Sequence, residues 1–408
     1  MRFKAERIFF RIVPLFFVLC ITVVGKAEGV DKLNNFPILQ RLSFDIGTDY
    51  VAPSIVDELL KEDTPTHRTG PHSSMPVSLK YSFSFTDAKI KHYLAGGYQG
   101  LGIGLLNFGA LEHNGTKISN RNIGYPIIAY VFQGGPAYRF NHNLSLDYEW
   151  NFGASFGWKP FNSYNKDFLL TVGSRVNAYI NLNLGLSWLV SDRVSVFGGI
   201  SFSHFSNGNT SWPNPGVNSL GLRFGATCLV GEKKKVAESV VADTLRMQRV
   251  NYDISLWGAL RKRVYKGGEK PVLLAGHFVC AGIGFAPMYN FNRWWRLGGS
   301  FDIQWDESSD MKKNYIDGTT TEDIRFRHPS VIRQMSLGIS AHGELRMPIF
   351  AVNVGLGYNL TAPPENKGFY QNITLKTYFG EKIFLNVGYQ LRNFVQQSSL
   401  MLGLGMTI

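Results

Sequence analysis

Residues 194–208 read VSVFGGISFSHFSNG, residues 209–215 read NTSWPNP, and residues 216–231 read GVNSLGLRFGATCLVG. Taken in steps of two, Val194, Val196, Gly198, Ile200 and Phe202 form one apolar stripe. Ser195, Gly199, Ser201 and Ser203 fall on the other face, with Phe197 the exception. A period of two is that of a β-strand with one face buried in apolar surroundings. In the second arm Leu220, Leu222, Phe224, Ala226, Cys228 and Val230 share a face in the same way. The apolar stripe of the first arm runs on into His204 and Ser206, and that of the second opens at Asn218. An imidazole, a hydroxyl and a carboxamide therefore meet at one end of two consecutive strands, on their apolar faces. Taken singly, each reads as the point where a membrane strand reaches water. Together they admit a second reading. Side chains at i and i+2 of a strand project the same way from Cα atoms roughly 6.5–7 Å apart. A base beside a hydroxyl, with a third group orienting the base, is the logic of an activated serine.

The same alternation recurs along the chain. It predicts strands near 41–51, 76–86, 91–105, 125–140, 144–158, 173–190, 194–206 and 216–230. A second set follows near 252–264, 271–291, 294–306, 331–347, 349–360, 369–379, 383–392 and 396–408. Connections alternate in length. Those at 87–90, 141–143, 191–193 and 380–382 are short, and those at 52–75, 106–124, 159–172 and 307–330 are long. Outer-membrane barrels have short periplasmic turns and long external loops. The fold class is thus all-β: a transmembrane antiparallel up-and-down β-barrel of about 12–16 strands. A single larger barrel is expected over two smaller ones. The loop 207–215 falls on the long-loop side, which places His204, Ser206 and Asn218 on the outer wall near the external rim.

Composition agrees. Aromatic residues make up 14% of the 408, charged residues only 18%, and there are 43 glycines. Mean hydropathy is −0.07, which excludes a helical membrane protein. Residues 1–27 read as a secretory signal: Arg2, Lys4, Arg7 and Arg11 precede an apolar run from Ile12 to Val24, with Gly25-Lys26-Ala27 at the cleavage positions. That run is too short for an ordinary spanning helix. Residues 28–40 form a periplasmic lead, 41–231 the barrel half with the polar trio, 232–251 a charged periplasmic linker, and 252–408 further barrel strands. The net charge of +12 suits anionic phosphates, and Lys233-Lys234-Lys235 reads as a solvated patch with no case for nucleic acid. Cys228 and Cys280 lie in strand interiors as small apolar residues, with no metal site or cofactor implied. His277 and Trp294-Trp295 read as barrel lining and interface aromatics. Leu94-Ala95-Gly96 with Gly102-Ile103-Gly104 recurs as Leu274-Ala275-Gly276 with Gly282-Ile283-Gly284, a faint repeat. The second half lacks the His-x-Ser pair, the comparable strand ending Gly357-Tyr358-Asn359. The last strand presents Leu400, Leu402, Leu404, Met406 and Ile408 to lipid, the kind of ending that outer-membrane insertion machinery recognises.

The run His204-Phe205-Ser206-Asn207, followed after five residues by Pro213-Asn214-Pro215-Gly216-Val217-Asn218, resembles the signature of the outer-membrane lipid A 3-O-deacylases (PagL type). The resemblance covers roughly residues 76–231. It implies a barrel in the outer membrane of a Gram-negative bacterium that hydrolyses an acyl ester of lipopolysaccharide. By that resemblance His204 is the base and Ser206 the nucleophile, while Asn207, with backbone N–H groups around Gly208, holds the oxyanion. The family's acid falls at Asn218, where this chain departs from the pattern. A carboxamide orients an imidazole but lends it no charge. Two other readings stand beside this one. In the first, the chain is a non-catalytic pore or adhesion barrel, with Arg223, Arg261 and Arg263 facing an aqueous lumen. In the second it is a calcium-dependent phospholipase barrel, which also uses Ser, His and Asn.

Overall fold

The computed structural model describes residues 38–408 apart from 53–72, 86–96, 161–171, 231–247, 266–271, 310–314, 317–324 and shorter breaks in the loops. The leader 1–27, most of the lead 28–40 and most of the linker 232–251 lie outside the described residues.

Sixteen long strands form two closed antiparallel barrels of eight. The first consists of β1 (Ile38–Val51), β2 (Ser73–Phe85), β3 (Tyr98–Phe108), β4 (Gly124–Arg139), β5 (Leu144–Trp158), β6 (Val176–Leu189), β7 (Val194–Ser206) and β8 (Val217–Val230). The second consists of β9 (Val250–Arg261), β10 (Phe278–Asn290), β11 (Trp295–Asp306), β12 (Met335–Arg346), β13 (Phe350–Thr361), β14 (Gly368–Phe379), β15 (Ile383–Arg392) and β16 (Gln396–Thr407). Each strand pairs with its sequence neighbours, and closure comes from first against last. β1 pairs with β8 from Gln40–Val230 to Val51–Ser219, and β9 with β16 from Asp253–Thr407 to Gly258–Leu402. Closure removes every sheet edge, which lipid demands because nothing there can satisfy a free N–H.

The total of sixteen matches the sequence pattern, but the expected single barrel is replaced by two. The physical reason is that alternation records only which face of a strand meets lipid. It is the same in a barrel of eight and a barrel of sixteen. What separates them is whether β8 turns back onto β1, a long-range pairing without a local signature. The faint repeat dissolves for a related reason. Gly102 and Gly104 lie on the third strand of the first barrel, whereas Gly282 and Gly284 lie on the second strand of the other. Counted within each barrel, the one strand therefore runs parallel to its barrel's first strand and the other antiparallel.

Outward faces are mainly apolar: Leu101, Ile103, Leu182, Leu220, Phe301, Leu402 and Leu404 are all exposed. The last strand's stripe ends, as expected, on exposed Met406 and Ile408. Trp295 is exposed at the start of β11, as an interface aromatic would be. Inward faces are filled, by an aromatic cluster including Tyr130, Phe132, Trp158, Tyr179 and Phe205 in the first barrel and by polar networks in both. In the first barrel Lys80 Nζ sits 2.5 Å from Asp45 and 2.9 Å from Glu149. The Asn181 carboxamide meets that of Asn151 at 2.7 Å and donates to the hydroxyls of Ser201 and Ser203. In the second barrel Arg296 bridges Asp253 and Glu344 at 2.8 Å each, and Lys376 bridges the same two carboxylates at 2.8 and 2.6 Å. An eight-stranded barrel is just wide enough for its lining to fill it.

Buried charge is tolerated only when fully compensated, and removing one partner strands the others. Glu344→Gln halves the negative charge facing Arg296 and Lys376. It is expected to lower stability by about 3 kcal/mol, read as a shift in the urea midpoint at which the folded band is lost on unheated gels. An unshifted midpoint would show the network to be energetically idle.

Candidate active site

The hairpin β7–β8 builds the site. On β7 Val196, Ile200 and Phe202 are exposed while Ser201 and Ser203 are buried, so even-numbered residues face outward and odd ones the lumen. His204 and Ser206 share the parity of the outward set. On β8 Leu220, Leu222 and Phe224 are exposed and Ser219 and Arg223 buried, so Asn218 also lies on the outer wall. Phe197, the exception in the alternation, takes the lumenal parity and lines a polar cavity there.

The register sets Asn218 directly opposite His204. Such neighbours stand close enough for short side chains to meet, and Oδ1 of Asn218 lies 2.7 Å from Nδ1 of His204. An amide oxygen accepts only, so this contact puts the imidazole proton on Nδ1 and leaves Nε2 with its lone pair. Ser206 lies two residues further along the same face and pairs across to Ala178 of β6. It is 3% exposed, so the hydroxyl is shielded from bulk water.

The strand ends in a tight turn. Gly208 and Asn209 take left-handed backbone angles, φ 62° and 65°. The backbone N–H of Asn207 donates to Asn214 Oδ1 at 3.0 Å, and the Asn207 carbonyl accepts from Thr210 N and Oγ1. The Asn207 side chain is buried, and neither its nitrogen nor its oxygen has a partner among the described residues. A buried amide left unsatisfied costs about 1–3 kcal/mol. Asn207 and Gly208 thus immediately follow the hydroxyl they were expected to serve. Pro215 lies outside the described residues.

Gly216 has φ 76°, and a Cβ there would stand 3.0 Å from Cε1 of His204. Two constraints therefore ask for glycine: the left-handed backbone and the ring against it. Gly216→Ala should displace the imidazole from Asn218 and cut ester hydrolysis about tenfold or more, since small misplacements of a catalytic group cost that much. Activity equal to wild type in a folded Gly216→Ala variant would show that the ring does not need this contact.

A second Ser–His–Asn chain lies in the other barrel. Ser340 Oγ is 2.8 Å from His342 Nε2, His342 Nδ1 is 2.7 Å from Asn353 Oδ1, and Asn353 Nδ2 donates to Glu344 at 3.1 Å. The order on β12 is Ser-x-His, the reverse of His-x-Ser, so a search for the latter passes over it. Its face differs too. Leu337 and Ile339 are exposed while Ser336, Ser340 and Glu344 are buried, so this group looks into the lumen. Ser340 Oγ also lies 2.7 Å from Asp302 Oδ2, to which Tyr370 donates as well. A lipid chain on the wall does not meet a hydroxyl on the lumenal face, and the group reads as lumenal packing.

The three arginines of the pore reading do face inward. Arg261 pairs with Asp306, Arg263 lies 3.9 Å from the same carboxylate, and Arg223 donates to Ser201 at 2.9 Å. Cys228 and Cys280 are free and buried. Among the described residues no group of His, Cys, Asp and Glu could hold a metal ion.

Family comparison assigns both barrels. Residues 77–227 match the model of "Lipid A 3-O-deacylase (PagL)", and residues 250–408 that of "Acyloxyacyl hydrolase, C-terminal domain". No curated protein matches the chain. Similar solved structures include the ferric enterobactin receptor PfeA, 9% identical with a TM-score of 0.25, covering 86% of this chain and 44% of that one. The chain thus spans less than half the length of that receptor. The COG4313 outer membrane channel from Pseudomonas putida F1 is 11% identical with a TM-score of 0.20, covering 93% of this chain and 98% of that one. CdiB from Acinetobacter baumannii is 10% identical with a TM-score of 0.19, covering 91% and 60%. With both barrels matched and most of its length covered, the chain is an outer-membrane β-barrel protein that belongs to the PagL-type lipid A 3-O-deacylase and acyloxyacyl hydrolase family.

Proposed function

We propose that the protein is a serine ester hydrolase that removes an acyl chain from lipid A, acting from the outer wall of its first barrel. The observation that carries this reading is the 2.7 Å contact between His204 Nδ1 and Asn218 Oδ1 on the lipid-facing side, with Ser206 on the same face. Nε2 of His204 takes the proton of Ser206 as its oxygen attacks the acyl carbonyl. The Asn207 amide and N–H groups at Gly208 hold the oxyanion, each such donor worth a few kcal/mol of barrier. His204 then gives its proton to the leaving sugar alkoxide, and water repeats the sequence on the acyl-enzyme.

The outward placement suits the substrate. Acyl chains of lipopolysaccharide lie along the wall, beside exposed Ile200, Phe202 and Leu220. The filled lumens, in turn, leave the pore reading little support. Mass spectrometry of lipid A from cells with and without the protein tests the proposal. A product lighter by one hydroxyacyl group, seen only with the protein, supports it; identical lipid A in both would refute it. Activity that requires calcium would favour the phospholipase reading instead.

A further inference from the structure

The opposite mouth of the first barrel holds a polar cavity of about 200 Å³. Its lining comes from all eight strands, at the end of the barrel that carries the short turns 141–143 and 191–193, which places it on the periplasmic side. Arg41, Lys80, Arg139, Asp45, Asp147 and Glu149 bring charge to it, and Arg139 is engaged elsewhere. Lys80 is satisfied twice over, by Asp45 and Glu149. Arg41 and Asp147 are not. The Arg41 guanidinium donates to Ser84 and lies over the Tyr98 ring at 5.8 Å, yet has no carboxylate in ion-pair range among the described residues. Asp147 accepts only from Ser145, at 2.6 Å, and has no cationic partner among the described residues. One cavity therefore presents a guanidinium and a carboxylate that make no ion pair with each other, although the Asp147 charge acts on Arg41 across the space between them.

We infer that this cavity binds a small zwitterion, the α-ammonium and α-carboxylate of an amino acid, with its carboxylate on Arg41 and its ammonium on Asp147. The guanidinium is held by Tyr98 and Ser84, with most of its fork free for a bidentate carboxylate. The space equals roughly six or seven waters at ~30 Å³ each. It falls below the ~300 Å³ at which drug-sized pockets begin, so the ligand is no larger than a small amino acid or the tip of a longer chain. Lysine would not serve in place of Arg41, because a point charge cannot grip a carboxylate with two parallel bonds. Hydroxyls of Ser187, Ser195 and Thr227 complete the lining and can solvate the rest of the ligand. This end group occurs in two forms in the periplasm: as free amino acids and as the diaminopimelate tip of cell-wall peptides.

The test uses the full chain, refolded in detergent micelles, with binding read by calorimetry. Glycine and L- and D-alanine form one arm, and the tripeptide L-Ala-γ-D-Glu-diaminopimelate the other. Acetate and methylammonium, each with one of the two charges, are the controls. The zwitterions should bind at least about tenfold more tightly than either control. Arg41→Met and the isosteric Asp147→Asn should each weaken them about tenfold, with folding checked by gel mobility before and after heating. Tighter binding of the tripeptide would assign the cell-wall source, and equal binding the free amino acids. Absence of binding by any zwitterion, or affinity untouched by Asp147→Asn, would overturn the inference and leave a cavity of water.

Discussion

Ser206→Ala should abolish acyl release from lipopolysaccharide vesicles, with a loss of about 10⁴-fold or more in rate. Ser206 lies on the outer wall at the end of β7, and the ladder bonds to its neighbours are made by backbone, which alanine keeps. The barrel should therefore fold and show its usual heat-dependent gel mobility. His204→Ala should cost as much, and the double variant no more than either single one, because nucleophile and base act as a unit. Ser340→Ala provides the contrast. It removes the hydroxyl of the lumenal Ser–His–Asn chain, whose His342–Asn353 contact is as short as that of His204 with Asn218. Deacylation should persist in that variant while the urea midpoint falls, because Asp302 and His342 lose a shared partner. Loss of activity in Ser340→Ala with Ser206→Ala unaffected would move the chemistry into the lumen and end the present assignment.

These two serines also show which parts of the molecule can be read from sequence. Strands such as β5 and β7 begin and end where alternation places them, because the two faces meet lipid and lumen and each residue reports its own face. β3 runs on to Phe108, past the 105 of its pattern, whose opening residues 91–96 lie outside the described residues, and β10 is shorter than its pattern of 271–291, at 278–290. At β10 part of the surplus, Val272-Leu273, pairs instead with Val264-Tyr265 as a small separate hairpin. That His204 and Asn218 meet is legible because both lie on the outward face at facing ends of consecutive antiparallel strands, and a one-residue slip would turn every side chain to the wrong face. Closure of β1 on β8 is not, since pairing over so long a span leaves no trace in either strand. Nor is the group Ser340–His342–Asn353: polar residues on a lumenal face look alike in sequence, whether they form a chain of hydrogen bonds or merely line the wall.

Asn218→Asp should accelerate the reaction. The carboxamide of Asn218 makes no hydrogen bond other than that to His204 among the described residues. Its counterpart Asn353, by contrast, is anchored through Nδ2 to Glu344. Nothing comparable holds Asn218 against rotation of its amide, which would present NH₂ to Nδ1 and move the imidazole proton to Nε2, silencing the base. Aspartate, of the same size, accepts from either oxygen, so the productive tautomer no longer depends on amide orientation. It also stabilises the imidazolium that forms as Ser206 attacks. In a serine triad the reverse change, carboxylate to amide, costs about 10⁴ in rate, largely through the wrong tautomer. Here Oδ1 already faces the ring, so part of that benefit is in place, and the expected gain is about a hundredfold, or ~2.7 kcal/mol of barrier. Initial rates of fatty-acid release from lipopolysaccharide vesicles, compared for wild type, Asn218→Asp and Asn218→Ala, measure it. The expected order is aspartate fastest and alanine slowest, since alanine orients nothing. If alanine matches asparagine, the 2.7 Å contact has no part in catalysis. If aspartate is slower than asparagine, the cost of a carboxylate on a lipid-facing wall exceeds what it lends the imidazolium, and this chain works better with the amide it carries.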